Sequence, residues 1–92
     1  MSEFLVETYT TDETASAAAQ HAEAVSLAAD QVNETGGEVR LLHAIYLPED
    51  EVAFYLFEST SADTVRETMT RAGLRFDRIT EATSIETKPT PS

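Results

Sequence analysis

Residues 39–58, VRLLHAIYLPEDEVAFYLFE, contain two apolar runs with a short polar segment between them. The runs 39–47 and 52–57 are rich in β-branched and aromatic residues, which favour strands. The segment 48–51 has a proline that fixes φ, followed by three acids that remain in water, which is typical of a turn. The pattern predicts a β-hairpin.

Both predicted strands of this hairpin are apolar on both sides. Apolar side chains fall at odd and even positions alike: Leu41 and Ile45 against Leu42, Ala44 and Tyr46, then Phe54 and Leu56 against Tyr55 and Phe57. A sheet with one face in water alternates apolar with polar residues instead. We therefore expect other parts of the protein to cover both faces.

The length and composition limit the classes of protein to consider. A chain of 92 residues forms one domain and buries only roughly 60–65% of its extended-chain surface, so a partner subunit would add to a marginal core. The absence of cysteine excludes disulfides, thiolate metal sites and cysteine nucleophiles. No apolar run is long enough for a membrane span, and we expect a soluble cytoplasmic protein.

The charge is strongly negative. Seventeen Asp and Glu residues against six Lys and Arg give a formal net charge of −11, and Lys88 is the only lysine. Phosphate backbones and anionic lipid surfaces would repel such a chain, so we expect neither a nucleic-acid nor a membrane partner. A solvated surface and adaptation to high salt both fit this charge.

The segments flanking the hairpin predict the remaining elements. Residues 3–9 alternate as a strand, and a helix over 12–34 starts at a capping box formed by Thr10 and Glu13 and stops at Gly36 and Gly37. Its inner face is a stripe of mostly small residues suited to close packing on a sheet: Ala15, Ala18, Ala22, Val25, Ala29 and Val32. Leu27 lies opposite this stripe, and we expect it to be exposed.

A second helix and a last strand follow the hairpin. Ser61 is placed to cap the helix, whose buried side would be Val65, Met69 and Ala72. Gly73 predicts a left-handed turn that Leu74 closes, and residues 75–82 form a strand anchored by Phe76 and Ile79. We assign residues 1–84 to the folded domain and residues 85–92 to a flexible tail.

This order of elements is that of a ferredoxin-like α+β fold. A βαββαβ sandwich has a four-stranded antiparallel sheet with both helices on one face. In the first strand, Phe4, Val6 and Thr8 would point to one face and Leu5, Glu7 and Tyr9 to the other. The face without helices would be bare and apolar, so we predict a homodimer formed through it.

Few residues are candidates for chemistry, because no strong catalytic motif is present. His43 lies among leucines in the second strand, where we expect it to be at least partly buried. One interpretation is a neutral core histidine. The other is a metal ligand or general base, and in that role Glu7 is the best candidate for its partner. Tyr46 and Tyr55, with Glu7, could hold a ligand or cofactor, although strand aromatics also simply fill cores. His21, on the first helix, has polar neighbours and is a weaker candidate.

Several segments together resemble a family of small bacterial domains of unknown function, some of whose members are described as nickel-binding or nickel-responsive. The resemblance covers most of residues 3–82 and rests on FLVE at 4–7, VRLLH at 39–43, the acidic turn, Glu58, VRE at 65–67 and AGLRFDRI at 72–79. It implies a ferredoxin-like dimer and a divalent transition metal such as nickel. Only Glu7 and His43 match ligand positions, so a dimer would have to double them.

Two functions of different classes follow from the sequence. The first is a non-enzymatic dimeric module that binds a metal ion or small ligand at the sheet face or the dimer interface. The alternative is a small cofactor-independent enzyme, an isomerase or monooxygenase, which this architecture also supports. A deep cavity lined by Glu7, His43 and tyrosines would favour the enzyme, and a filled sheet face would favour binding.

Overall fold

The computed structural model describes residues 1–9 and 14–85. Its elements are β1 (Ser2–Tyr9), α1 (Ala15–Glu34), β2 (Val39–Leu47), β3 (Val52–Ser59), α2 (Ala62–Arg71) and β4 (Arg78–Ala82). The strands form one antiparallel sheet in the order β2-β3-β1-β4. The predicted ferredoxin-like α+β fold is therefore confirmed. Within the described residues, no helix is both long enough and apolar enough to cross a membrane.

The first helix starts later than the sequence predicts. Thr14 is its N-cap, with its Oγ1 accepting a hydrogen bond from the Ala17 N–H at 3.1 Å, so the helix begins at Ala15 rather than near residue 12. The predicted capping box of Thr10 and Glu13 lies outside the described residues, as does the predicted tail apart from Ile85. The last strand also starts later, at Arg78 rather than at residue 75.

The core lies between the two helices and one face of the sheet. It consists of apolar side chains from both helices and three strands: Phe4, Val6, Val25, Ala29, Val32, Val39, Ala53, Tyr55, Phe57, Val65 and Met69. Fully burying a side chain such as Phe57 or Met69 stabilises the fold by about 1.5–3 kcal/mol. The predicted placement of Phe4 and Val6 on one side of β1 is confirmed, and that side faces the core. Leu27 is exposed as expected.

The two halves of α1 pack differently on the sheet. In the C-terminal half, Val25, Ala29 and Val32 are buried. In the N-terminal half, Ala15 is exposed and Ala18 is only half-buried, so the predicted close packing is wrong there. Alanine is too short to fill the space between this half of the helix and the hairpin.

The ends of α2 follow the sequence prediction. Ser61 Oγ accepts a hydrogen bond from the Thr64 N–H at 3.2 Å and caps the helix. Gly73 has φ +75°, and the Leu74 N–H bonds to the Met69 carbonyl at 3.2 Å, which closes the C-terminal turn.

A β-bulge divides β2 into two parts. The pairing with β3 shifts between Leu41 and His43, which leaves Leu42 as the extra residue. Before the bulge, Leu41 lies opposite Phe57 on the helix side, and after it Ile45 lies opposite Phe54 on the other side. The sequence prediction that groups Leu41 with Ile45 is therefore wrong, because simple alternation does not survive an inserted residue.

Candidate functional site

The sheet face opposite the helices, which we name the open face, is apolar at its centre and charged at its edges. Strand register places on it Leu5 and Glu7 of β1, His43 and Ile45 of β2, Phe54 and Leu56 of β3, and Arg78 and Thr80 of β4. Ile45 is 53% exposed, although isoleucine is among the residue types most often buried. No helix within the described residues packs on this face, as the sequence predicts.

Glu7 and His43 share the open face, but β3 lies between them. His43 lies opposite Leu56, and Glu7 lies opposite Phe54 on the other side of that strand. Two strand spacings of about 4.8 Å put the backbones of β1 and β2 roughly 10 Å apart. His43 is exposed, so its expected burial is wrong. The cause is its position on an edge strand, on the side away from both helices.

The neighbours of Glu7 also disfavour a metal site within one chain. Arg78 is its direct cross-strand partner on β4, and the Arg78 Nε donates a hydrogen bond to Thr80 Oγ1 at 3.2 Å. The permanent positive charge of Arg78 on the same side of the sheet disfavours a metal cation at Glu7. In the part of the chain that the structure describes, no group of three or more His, Asp or Glu residues could hold a metal ion.

Tyr46 and Tyr55 lie on the helix side of the sheet, away from Glu7. Tyr46 is opposite Ala53, and Tyr55 is opposite Val6 and is only 3% exposed. The predicted ligand-binding set of Glu7, Tyr46 and Tyr55 is therefore divided between the two faces. The two tyrosines come together, and the carboxylate does not join them.

These tyrosines line a pocket of ≈ 290 Å³ between the N-terminal half of α1 and the hairpin strands, which we name the tyrosine pocket. Its lining residues are Ala15, Ala18, Ala19, Ala22, Ala44, Ile45, Tyr46, Ala53 and Tyr55. Sequence reasoning missed the role of the alanines, which it interpreted as a close-packing surface. The available signal was that small residues occur on both facing elements, on the helix and again at Ala44 and Ala53.

A second, more polar depression of ≈ 430 Å³ lies near the ends of β1, β3 and β4. Two of its carboxylates already have partners. Glu3 accepts hydrogen bonds from the Ser84 N–H at 3.0 Å and the Ser84 hydroxyl at 2.8 Å, and Glu58 pairs with Arg40 at 3.2 Å. The Glu3–Ser84 hydrogen bonds tie the segment after β4 to β1, and the Arg40–Glu58 pair joins β2 to β3. This depression is a weaker candidate than the tyrosine pocket.

The fold has a counterpart among solved structures. The crystal structure of SCO4226 from Streptomyces coelicolor A3(2) matches with a TM-score of 0.74 at 24% sequence identity, over 91% of this chain and 99% of that chain. At this identity the likeness shows the fold alone. No protein-family model matches the chain, and no curated protein matches it. The resemblance to nickel-binding domains stays a prediction.

Proposed function

We propose that the protein is a homodimeric binding module whose two copies meet through the open face. The observation that supports this proposal is the joint placement of Leu5, Ile45, Phe54 and Leu56 on a helix-free face. Four strands about 4.8 Å apart, each with several residues of about 3.4 Å, give a face of roughly 20 by 25 Å. The side chains that project from the sheet raise the accessible area above this flat estimate, to about 600 Å² per partner. Specific interfaces at the small end of the known range have this size.

The charges on the open face are compatible with burial against a second copy. Glu7 and Arg78 are cross-strand neighbours on the same side of the sheet, so each would retain an opposite charge nearby when the partner excludes water. Arg40 and Glu58, which also lie opposite each other in the sheet, form an ion pair at 3.2 Å near the rim. The interface would therefore have an apolar centre and compensated charges around it, which is the usual anatomy of a subunit contact.

The separation of His43 from Glu7 supports binding over catalysis. General acid–base work needs its groups within about 3 Å of the atoms they serve. On the described open face, His43 lies opposite Leu56, Glu7 lies on the far side of β3, and Glu58 is paired with Arg40. Among the described residues, the lining of the tyrosine pocket likewise contains no carboxylate or histidine. The expected cytoplasmic location stays part of this proposal.

Changing the centre of the open face tests the dimer. Leu56→Glu puts a charge where the two copies would meet, and Leu27→Glu is the matched control because Leu27 is 62% exposed on α1. Light scattering at micromolar concentration should give twice the chain mass of 10.1 kDa for the wild type and for Leu27→Glu, and the single mass for Leu56→Glu. A monomeric wild type, or a Leu56→Glu protein that stays dimeric, would refute this interface.

A divalent transition metal such as nickel at the interface is the second candidate. It is favoured by the presence of His43 and Glu7 on the same open face, since a dimer would provide two of each. Calorimetry with nickel chloride should show binding that His43→Gln abolishes and His21→Gln leaves unchanged, with both variants dimeric. Binding that persists in His43→Gln would remove this candidate and leave the dimer proposal intact.

A further inference from the structure

We infer that the tyrosine pocket is a binding site for a small, uncharged, largely apolar molecule about the size of a two-ring aromatic compound. The pocket lies between α1 and the hairpin of a single chain. Ile45 is the one described lining residue that strand register also places on the open face. The remaining described lining residues lie on α1 or on the helix side of the sheet, so the use of the pocket requires neither the proposed dimer nor a metal ion at the open face.

The walls of the pocket are made of small side chains on both facing elements. Ala18 and Ala22 line it from α1, and Ala44 and Ala53 line it from the strands. One to three turns further along the same helix, Val25 and Val32 fill the space above the sheet and are buried. The pocket is open to solvent, so its apolar lining faces water, and a fitting apolar molecule would remove that surface from water.

The chemistry of the lining excludes charged ligands. Six of the nine described lining residues are alanine, and the others are Ile45, Tyr46 and Tyr55, so the described part of the lining carries no formal charge. An ionised group placed there would lose its hydration without gaining a counter-charge. The chain's net charge of −11 adds a general repulsion of anions.

The tyrosines make an aromatic ligand favourable. Aromatic pairs in offset or edge-to-face contact gain about 0.5–1.5 kcal/mol beyond the burial of their area. Tyr46 and Tyr55 both belong to this lining, and Tyr55 is almost wholly buried. A planar apolar molecule would therefore use both the alanine walls and the aromatic rings.

The volume sets the size of the ligand. Ligand pockets commonly measure about 300–1,000 Å³, and ≈ 290 Å³ is at the lower end of that range. At about 30 Å³ per water molecule, the space equals roughly ten waters, which corresponds to a ligand of roughly ten to fifteen non-hydrogen atoms. Naphthalene derivatives have this size.

The test compares 1-naphthol with 1-naphthoate, an uncharged and an anionic probe of similar size, by titration calorimetry on the full chain. We expect 1-naphthol to bind and 1-naphthoate to bind at least about tenfold more weakly. Ala18→Leu, which fills the pocket from the helix, and Ala44→Leu, which fills it from the sheet, should each weaken 1-naphthol binding by about tenfold or more. Ala17→Leu is the matched control, half-buried on the same helix but outside the lining, and it should bind like the wild type.

Backbone NMR on the wild type locates the probe without any substitution. Addition of 1-naphthol should shift the amide signals of Ala18 and Ala22 and leave those of α2 in place. Absence of binding, absence of shifts on α1, or wild-type affinity in a folded Ala18→Leu or Ala44→Leu protein would each overturn the inference. Loss of binding in Leu56→Glu with retention in Ala18→Leu would also overturn it, because the probe would then sit on the open face.

Discussion

The side chain of Asn33 binds both backbone polar groups of Val39. Its Nδ2 donates to the Val39 carbonyl at 2.8 Å, and its Oδ1 accepts from the Val39 N–H at 2.9 Å. Val39 begins β2, an edge strand, and the amide of Asn33 bonds to it as a neighbouring strand would. The end of α1 is thereby fixed to the start of the hairpin.

Replacement of Asn33 by alanine should lower the free energy of unfolding by about 1–3 kcal/mol, because two backbone groups of a buried residue lose their partners. Urea denaturation followed by circular dichroism measures the change. Asn33→Asp keeps an acceptor but loses the donor, so its cost should fall between those of the wild type and the alanine variant. Equal stability of Asn33→Ala and wild type would show that water replaces these bonds without loss.

Glycine is needed at position 37 because a larger side chain would not fit there, and not because of its backbone conformation. A Cβ at this position would come within 2.5 Å of Val32 Cγ1 and 3.1 Å of the Val32 carbonyl oxygen. Val32 is buried and stiff, so Gly37→Ala should cost about 1–3 kcal/mol of stability.

Gly73 provides the comparison for this substitution. Nothing lies within 4 Å of a Cβ built there, but its φ of +75° disfavours other residues. Gly73→Ala should therefore cost about 1 kcal/mol, through the backbone alone. Thermal unfolding of both variants measures the two effects, and a Gly37→Ala protein as stable as wild type would contradict the packing argument.

The two helix caps should differ in their effect on stability. Ser61→Ala removes the cap of α2, whose Val65 and Met69 are fully buried, and should cost about 1 kcal/mol. Thr14→Ala removes the cap of the loosely packed half of α1, where fraying exposes little apolar surface, so its cost should be smaller. Chemical denaturation of both variants decides the order, and a larger loss for Thr14→Ala would show that the start of α1 is docked more firmly than its burial indicates.

Salt should strengthen the proposed dimer. Two chains that each carry a net charge of −11 repel one another, and at 0.1 M ionic strength that repulsion is screened beyond about 10 Å. The dimer dissociation constant, measured by sedimentation equilibrium, should fall as sodium chloride rises from low to moderate concentration. A constant that rises with salt would indicate that attraction between charged groups, rather than the apolar centre, holds the copies together.

The facing of β1 and β3 could be predicted from the sequence because these strands pair without interruption. Alternation alone separated Phe4 and Val6 from Leu5 and Glu7, and the structure shows that Phe4 and Val6 face the core. In β2 the prediction of facing from alternation failed at Leu42. This residue is the extra one of a β-bulge, and a bulge cannot be recognised in a run of apolar residues.

The candidate site was less predictable than the fold. The sequence identified Tyr46 and Tyr55 but grouped them with Glu7, since which residues meet depends on register and strand order rather than on residue type. It expected His43 to be at least partly buried because of its leucine neighbours, whereas the position of His43 on an edge strand leaves it exposed. The alanines of α1 were recognised as a stripe, but whether small residues bring a helix closer or leave a gap depends on what lies opposite them.

The bulge of β2 also affects how the protein behaves when it is concentrated. An uninterrupted edge strand offers a row of free N–H and C=O groups on which another chain's strand can add, and repetition of that step produces fibrous aggregates. The break after Leu41 interrupts this row, and the Asn33 amide occupies its beginning at Val39. Addition of another strand is thereby hindered at the start of this edge, so in the proposed dimer the apolar face would be used for stacking while the strand edge disfavours polymerisation.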